Sequence, residues 1–275
     1  MNALEKISKN NMDNYNVYLQ RMTNSFNTSS KQLIPTLVSG TKVLDVGCGS
    51  GILLEELKKY GIDADGIDLN SNAVKECKSK NLNAVNINLK DVTKKYDTVI
   101  FSSVLHEFSS YADVNRFGTE PIEEALKNAY NILNPNGHII IRDGLKSNPG
   151  TTTVSAKNSE VIKTILKYKE DAPMFKDIDL IIDKNNITAE SDFLKEFMFT
   201  YTWGPESYQR EVNEKYGILT VSEWRTCIKN AGFNIKMLKV NEDNYTYFLL
   251  KHFNATPEFK KLLSECTILI DAFKK

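Results

Sequence analysis

The sequence predicts a doubly wound α/β fold on a mostly parallel sheet. Three observations carry this expectation. Apolar strand patterns alternate with helical ones from Lys42 to Asp143, the first strand breaks into three alternating glycines before a helix, and Ile139-Ile140-Ile141 runs continuously apolar where a central strand belongs. Such alternation winds helices over both faces of a parallel sheet through right-handed crossovers. A strand buried on both faces reads as an unbroken apolar run.

Taken in order, Tyr15, Tyr18, Leu19 and Met22 recur at helical spacing, as do Leu33, Ile34, Leu37 and Val38. Residues 1–40 are therefore expected to form an N-terminal helical cap over the ligand edge of the sheet. Strand Lys42–Val46, helix Ile52–Tyr60, strand Asp63–Leu69, helix Asn72–Ser79, strand Asn83–Asn88, strand Tyr96–Ser103, helix Pro121–Leu133 and strand His138–Asp143 follow. Asn134-Pro135-Asn136-Gly137 supplies the turn that stops a helix just before a buried strand. The alternation then lapses over 145–217, which reads as a helical insertion with an aromatic end. It resumes with a helix around Ser222–Ile228 and strands Asn234–Val240 and Tyr245–His252, so that 41–144 and 218–253 make one core. Phe259, Leu262, Leu263, Cys266, Leu269, Ile270 and Phe273 then fall at helical spacing, and residues 254–275 are expected to be a C-terminal helix.

Val43-Leu44-Asp45-Val46-Gly47-Cys48-Gly49-Ser50-Gly51 is the most informative stretch. Glycines at a strand end let backbone approach a ligand closely, and the helix that follows aims N–H groups toward it. The dinucleotide fingerprint needs a third glycine where Ile52 stands, which disfavours NAD. A phosphate loop needs a lysine at once, and none follows Gly51 until Lys58, which disfavours ATP. The next strand ends in Asp68, a carboxylate able to accept both hydroxyls of a ribose.

With these residues in register, the chain resembles the class I S-adenosylmethionine-dependent methyltransferases from about Lys42 to Phe253. The resemblance implies a seven-stranded sheet with its last strand antiparallel and S-adenosylmethionine as cofactor. It places Asp45, Gly47, Cys48, Gly49, Gly51, Asp68, Leu69, Asn88, Leu89, Ser102 and Ser103 around that cofactor. Asn88 stands where the family usually has an acid near the adenine, with Asp91 as a substitute. For the methionine carboxylate, free N–H groups of the glycine loop and the forked donor of Arg21 are candidates.

Ligands of open α/β sheets gather at the carboxyl ends of the strands, so Ser102 to His106 should face the reacting methyl. Of three histidines, His138 and His252 sit at strand ends away from that place, leaving His106, with Glu107, as the candidate base. Alignment and exclusion of water are the chief demands of methyl transfer from a sulfonium, so a dedicated base is not obligatory. Arg142, beside Asp143, and Tyr201, Trp203 and Tyr208 in the aromatic stretch are the candidate substrate-binding residues. The expected reaction is methylation of an oxygen or nitrogen of a small molecule. RNA methylation, with a basic groove at Lys157, Lys163, Lys167 and Lys169, and non-catalytic cofactor binding are the alternatives. The asparagine-proline-proline-aromatic signature of amino methylation is missing after the fourth strand, where Ser102-Ser103-Val104-Leu105 stands instead.

In 275 residues, 35 basic side chains balance 35 acidic ones, so no global field draws the chain to nucleic acid or an anionic membrane. Cys48, Cys77, Cys227 and Cys266 form no closely spaced pair, which reads as reduced thiols with no zinc site or disulfide framework. The polar N-terminus and the lack of a long apolar run lead to the expectation of a cytoplasmic protein with no metal and no membrane partner.

Overall fold

A computed structural model describes residues 30–242 and 248–275 of the chain. A 3-10 turn (Ser30–Leu33) leads into α1 (Ile34–Leu37), followed by β1 (Val43–Val46), α2 (Ile52–Lys59), β2 (Ala64–Ile67), α3 (Ser71–Ser79), β3 (Ala84–Val85), β4 (Tyr96–Ser102), α4 (Leu105–Ser110), α5 (Glu120–Ile132) and β5 (Leu133–Gly144). Within the insertion lie β6 (Thr151–Ser155), α6 (Ser159–Asp171), β7 (Ile181–Asp183), β8 (Asn186–Glu190), α7 (Ser191–Thr202) and α8 (Tyr208–Glu211). The chain closes with α9 (Val221–Asn230), β9 (Phe233–Asn241), α10 (Pro257–Ser264) and β10 (Thr267–Lys274).

Seven strands form one sheet in the order β3-β2-β1-β4-β5-β10-β9. Pairing from β3 to β5 is parallel, and β10 runs antiparallel to both β5 and β9. The chain reverses direction across the sheet between β1 and β4, so the ends of β1, β2 and β4 open onto the crevice where ligands bind in such sheets. Ile139, Ile140 and Ile141 are fully buried, as their unbroken apolar run predicts for a strand covered on both faces. The helical second apolar group near the N-terminus, centred on Ile34, packs on Val43, Leu53, Ile100 and Leu269 and so anchors the start of the described chain on the sheet. The first predicted group, Tyr15 to Met22, lies outside the described residues.

Two expectations need correction. The last sheet strand is Thr267–Lys274 and the tail helix ends at Ser264; of the expected strand Tyr245–His252, residues 245–247 lie outside the described residues. Phe248 and Leu249 are helical instead. The apolar residues from Cys266 to Phe273 fit helical spacing, yet Thr267 to Ile270 is a short unbroken apolar run rich in β-branched residues, and period alone does not separate the two readings. Burial on both faces decides for the strand. The insertion is also not wholly helical: β6, β8 and β7 form a separate three-stranded antiparallel sheet. Its signal was the β-branched run Thr151 to Val154. A second apolar core, including Val161, Ile165, Tyr168, Phe193 and Phe197, holds α6 and α7 on this small sheet.

Candidate functional site

The glycine loop is built by hydrogen bonds between the ends of β1 and β2. Ile67 O accepts from the N–H groups of Gly47 and Cys48 at 2.8 and 3.0 Å, Asp68 Oδ2 accepts from Gly49 N–H at 2.8 Å, and Cys48 O accepts from Gly51 N–H at 2.9 Å. The expectation that free loop amides receive a carboxylate is thereby corrected for these four, which are spent inside the fold. Gly47 has φ +71, and a Cβ there would lie 2.4 Å from Val104 Cγ2. Gly49, at φ +53, has no atom beyond its own chain neighbours within 4 Å of where its Cβ would be.

Asp68 holds this glycine through its N–H. Its Oδ1 accepts from Asn70 N–H at 2.7 Å while Oδ2 holds Gly49. A carboxylate offers about four acceptor positions, so both oxygens are fixed and still able to accept from a ligand. Burial pushes the Asp68 carboxyl up, while the two amides and the Arg210 charge pull it down. Asp45, in β1 behind the loop, is buried, and burial together with the Asp68 charge drives it well above the usual carboxylate range against the pull of Lys31. Lys31, itself buried on the 3-10 turn, was not found from sequence because nothing local ties it to Asp45. Leu69 is about half exposed beside the loop, and Leu89 is buried. Asn88 accepts from Lys90 N–H at 3.1 Å and caps the short turn after β3. Arg21 lies outside the described residues.

Across the crevice, β4 ends in Ser102 and Ser103, the latter in a left-handed conformation at φ +59 with its N–H on Arg142 O. The buried Arg142 donates to Ser103 Oγ at 2.6 Å and to Ser30 Oγ at 3.2 Å, which places it at the sheet's ligand edge. Its neighbour Asp143 turns to His106: Oδ1 meets Nδ1 at 2.6 Å and Oδ2 accepts the His106 backbone N–H at 3.1 Å. His106 Nε2 stands 3.7 Å from Glu214 Oε2, beyond hydrogen-bond length, and Tyr216 packs on the ring at 4.9 Å. Burial lowers the imidazolium's pKa, but the Asp143 charge and hydrogen bond, with Glu214 added, outweigh it and leave His106 well above its ordinary value. The same pairing brings Asp143 down despite its burial.

Arg210, from the insertion, ties the two halves of this cluster together. It donates to Glu107 Oε1 at 3.0 Å and to Glu214 Oε1 at 2.9 Å, and Tyr111 O–H donates to the same Glu214 oxygen at 2.5 Å. Burial would raise Glu214, but the Arg210 charge, the nearby His106 and the bond from Tyr111 bring it down to about 2. Withdrawal from solvent pushes Glu107 up to about 7 against Arg210, and burial with the Glu214 charge pushes Glu211 up to about 8. Donor atoms of His106, Glu107 and Glu214 lie within 4.8 Å of one another, but the guanidinium of Arg210 already supplies the cation between the two carboxylates.

The aromatic candidates are held by other partners. Tyr201 O–H meets His252 Nδ1 at 3.1 Å, Tyr208 O–H donates to Asp171 at 2.9 Å, and Trp203 caps the C-terminus of α7. Their every-second-residue pattern lies on a helix, where it does not make one face. The aromatic beside His106 is Tyr216, backed by Phe199 at 5.3 Å.

A family model described as "Methyltransferase domain" matches residues 18–237. The ubiquinone biosynthesis O-methyltransferase of Psychrobacter cryohalolentis is 38% identical over 77 residues, which is 28% of this chain and 28% of that protein. The protein of the same name from Methylococcus capsulatus is 62% identical over 34 residues, 12% of this chain and 14% of that one. The chain thus aligns with less than a third of the length of these curated relatives. Among solved structures, a possible histamine N-methyltransferase from Thermotoga maritima has a TM-score of 0.54 at 14% identity, covering 98% of this chain and 99% of that one. A 1,6-didemethyltoxoflavin-N1-methyltransferase from Burkholderia thailandensis, solved with S-adenosylhomocysteine, has a TM-score of 0.54 at 12% identity, covering 97% of this chain and 86% of that one. At such identities the likeness concerns the fold. With the family match running through the glycine loop, the His106 cluster and most of the sheet, this chain belongs to the methyltransferase-domain family and carries the class I fold of S-adenosylmethionine-dependent methyltransferases.

Proposed function

We propose that the chain transfers a methyl group from S-adenosylmethionine to an oxygen or nitrogen of a small molecule, with His106 as the general base. The residues fit the cofactor: Asp68 is pinned by two amides with acceptor capacity remaining, and a Cβ at Gly49 would stand in open space on the loop that Asp68 holds. Asp68 would hold the ribose, and the bound cofactor supplies an electrophilic methyl on a sulfonium. The observation that carries the catalytic reading is the His106–Asp143 pair, which is buried, doubly hydrogen-bonded and placed just after β4.

With Nδ1 committed to Asp143, Nε2 is the atom left to take a proton from the acceptor's O–H or N–H. Asp143 stabilises the imidazolium so formed. The raised pKa of His106 means that the ring becomes an acceptor only as pH rises past it. Glu107, paired with Arg210, positions the cluster. A base that is 5% exposed is reached by a small acceptor more readily than by a polynucleotide. Two lysines of the imagined basic groove are also engaged, Lys157 on Leu250 O and Lys167 on Asp171.

The test combines calorimetry and labelling. Wild-type protein should bind S-adenosylmethionine, Asp68→Ala should weaken that binding, and label from the cofactor should appear in the small-molecule fraction of a cell extract with wild type and drop with His106→Ala. Label in the RNA fraction alone would overturn the small-molecule reading, and binding without label in any fraction would overturn catalysis.

A further inference from the structure

Two consecutive charged residues sit in the middle of the apolar helix α7. Every residue from Phe193 to Thr200 is buried, and Lys195 and Glu196 are the charged ones among them. A buried charge is costly unless it is hydrogen-bonded, and both are spent on backbone. Lys195 Nζ donates to Leu145 O at 3.1 Å and to Glu265 O at 2.7 Å, which ties α7 to the residue that follows β5 and to the C-terminus of α10. Glu196 turns to a different segment: its Oε2 accepts from Tyr216 N–H at 2.8 Å and its Oε1 from Gly217 N–H at 2.6 Å.

That segment lies directly on the end of β5. A Cβ on Gly144 would come within 2.5 Å of Tyr216 O, and one on Gly217 within 2.7 Å of Lys146 N, so the two glycines let the backbones touch. Leu219 O accepts from Lys146 N–H at 3.0 Å, and Ser110 Oγ accepts from Lys215 N–H at 2.9 Å. Residues 215–219 therefore form a strap seated on α4, β5 and α7. It carries Tyr216 onto His106, with ring centroids 4.9 Å apart and planes inclined by 31°, and Phe199 of α7 backs Tyr216 at 5.3 Å. Tyr216 O–H donates to Glu211 Oε2, which fixes the far end of the ring.

Asp143 holds His106 at Nδ1 and at its backbone N–H, but the torsion about the histidine Cβ–Cγ bond is broad, and one ring hydrogen bond leaves the plane room to swing. A second ring packed on the imidazole removes that swing. The plane decides where Nε2 points, and a misplacement of about 1 Å costs on the order of a hundredfold in rate. Resting on the role of His106 as base, we propose that Tyr216 is a positioning residue that holds the plane of the imidazole, and that Glu196 acts through it by seating the strap.

The test compares Tyr216→Leu, Tyr216→Phe and Glu196→Gln with wild type on the whole protein. Glu196→Gln keeps the shape, but glutamine offers an oxygen to only one of the two N–H groups and turns a donor on the other. NMR relaxation of the His106 ring carbons in the free protein reads the plane, with the three histidines assigned through His138→Gln and His252→Gln. The ring should be ordered in wild type and Tyr216→Phe, mobile in Tyr216→Leu, and intermediate in Glu196→Gln. Label transfer from S-adenosylmethionine to the small-molecule fraction of a cell extract, measured per folded protein, should fall roughly tenfold to a hundredfold in Tyr216→Leu while calorimetric affinity for S-adenosylmethionine stays at the wild-type level. Tyr216→Phe should recover most of that loss. Tyr216→Met, which fills more of the space, replaces the leucine variant if the latter melts below the assay temperature. An imidazole as ordered without the aromatic ring as with it, or an undiminished transfer rate, overturns the positioning role of Tyr216; a Glu196→Gln variant equal to wild type in both readouts overturns that of Glu196. Wild-type transfer by His106→Ala would instead overturn the base, a result the ring relaxation does not depend on.

Discussion

Asp143 grips His106 at two points, the ring through Oδ1 at 2.6 Å and the backbone N–H through Oδ2 at 3.1 Å. One carboxylate therefore fixes the tautomer, the orientation of the ring and the start of α4. Because Asp143 raises the His106 pKa, Asp143→Asn should lower it, so that the ring's titration moves to lower pH in an NMR experiment on the free protein. The alkaline rise in kcat/KM should shift the same way while its plateau falls on the order of a hundredfold, the usual contribution of a positioned base. A rate profile that does not move would remove His106 from the reaction.

Gly47 and Gly49 separate folding from binding. Gly47→Ala brings a Cβ to 2.4 Å from Val104 and strains a φ of +71, so it should lower the melting temperature clearly. Gly49→Ala meets no neighbour, leaving a φ penalty of roughly 1 kcal/mol. It should melt close to wild type and lose cofactor affinity, because its methyl enters the open space at the loop that Asp68 holds. Calorimetry and thermal melts on the two variants check the contrast.

Asp68→Ala removes a side chain that also staples the loop through Gly49 and Asn70. Each hydrogen bond to a charged group contributes about 1.5–3 kcal/mol, so cofactor affinity should fall by roughly tenfold to more than a hundredfold. Intact affinity measured by calorimetry would refute the ribose assignment.

The cofactor end of the site was legible because it is local. A strand, three glycines and the acid of the next strand follow one another within a few turns of chain, and each residue type is dictated by backbone geometry or hydrogen bonding. The carboxylate cluster on Arg210 was not, since Arg210 meets Glu107 and Tyr111 meets Glu214 across 103 positions of sequence. Nothing local marks a charged helix in a lid as one that packs onto the core. Asp143 was half legible: the Arg142-Asp143 pair at the end of β5 pointed to the site edge, but which side chain served which partner depended on His106. The aromatic run from Phe197 to Trp203 does not form one face for another reason, because alternation by two has meaning on a strand and these residues lie on a helix and its C-cap.

Burial of Glu211 makes the free protein sensitive to pH. Its carboxyl titrates near 8 when folded and near 4.5 as the ordinary value, so the folded form holds its proton more tightly. The associated stability is fully present below about pH 4.5 and is lost as pH rises through about 8. His106, also raised, acts in the same direction. The melting temperature should therefore drop between pH 5.5 and pH 8.5, and Glu211→Gln should flatten that drop. Thermal melts at the two pH values decide it; a variant with the wild-type slope would assign the loss to other groups.

Reading residues 267–274 as a strand predicts what removal of the C-terminus does. A surface helix could be trimmed with modest loss, but β10 lies between β5 and β9 and is hydrogen-bonded to both. Ile268, Leu269 and Ile270 have no exposed surface, and burial of each such side chain is worth about 1.5–3 kcal/mol. Together with the lost ladder bonds this rivals the roughly 5–15 kcal/mol that separates folded from unfolded domains. A chain ending at Ser264 should thus show no cooperative melt and no cofactor binding. Ile268→Ala, which only opens a cavity, should fold and melt lower by an amount equivalent to about 2–5 kcal/mol. If the shortened chain melts cooperatively near wild type, β10 is dispensable and the sheet must close without it.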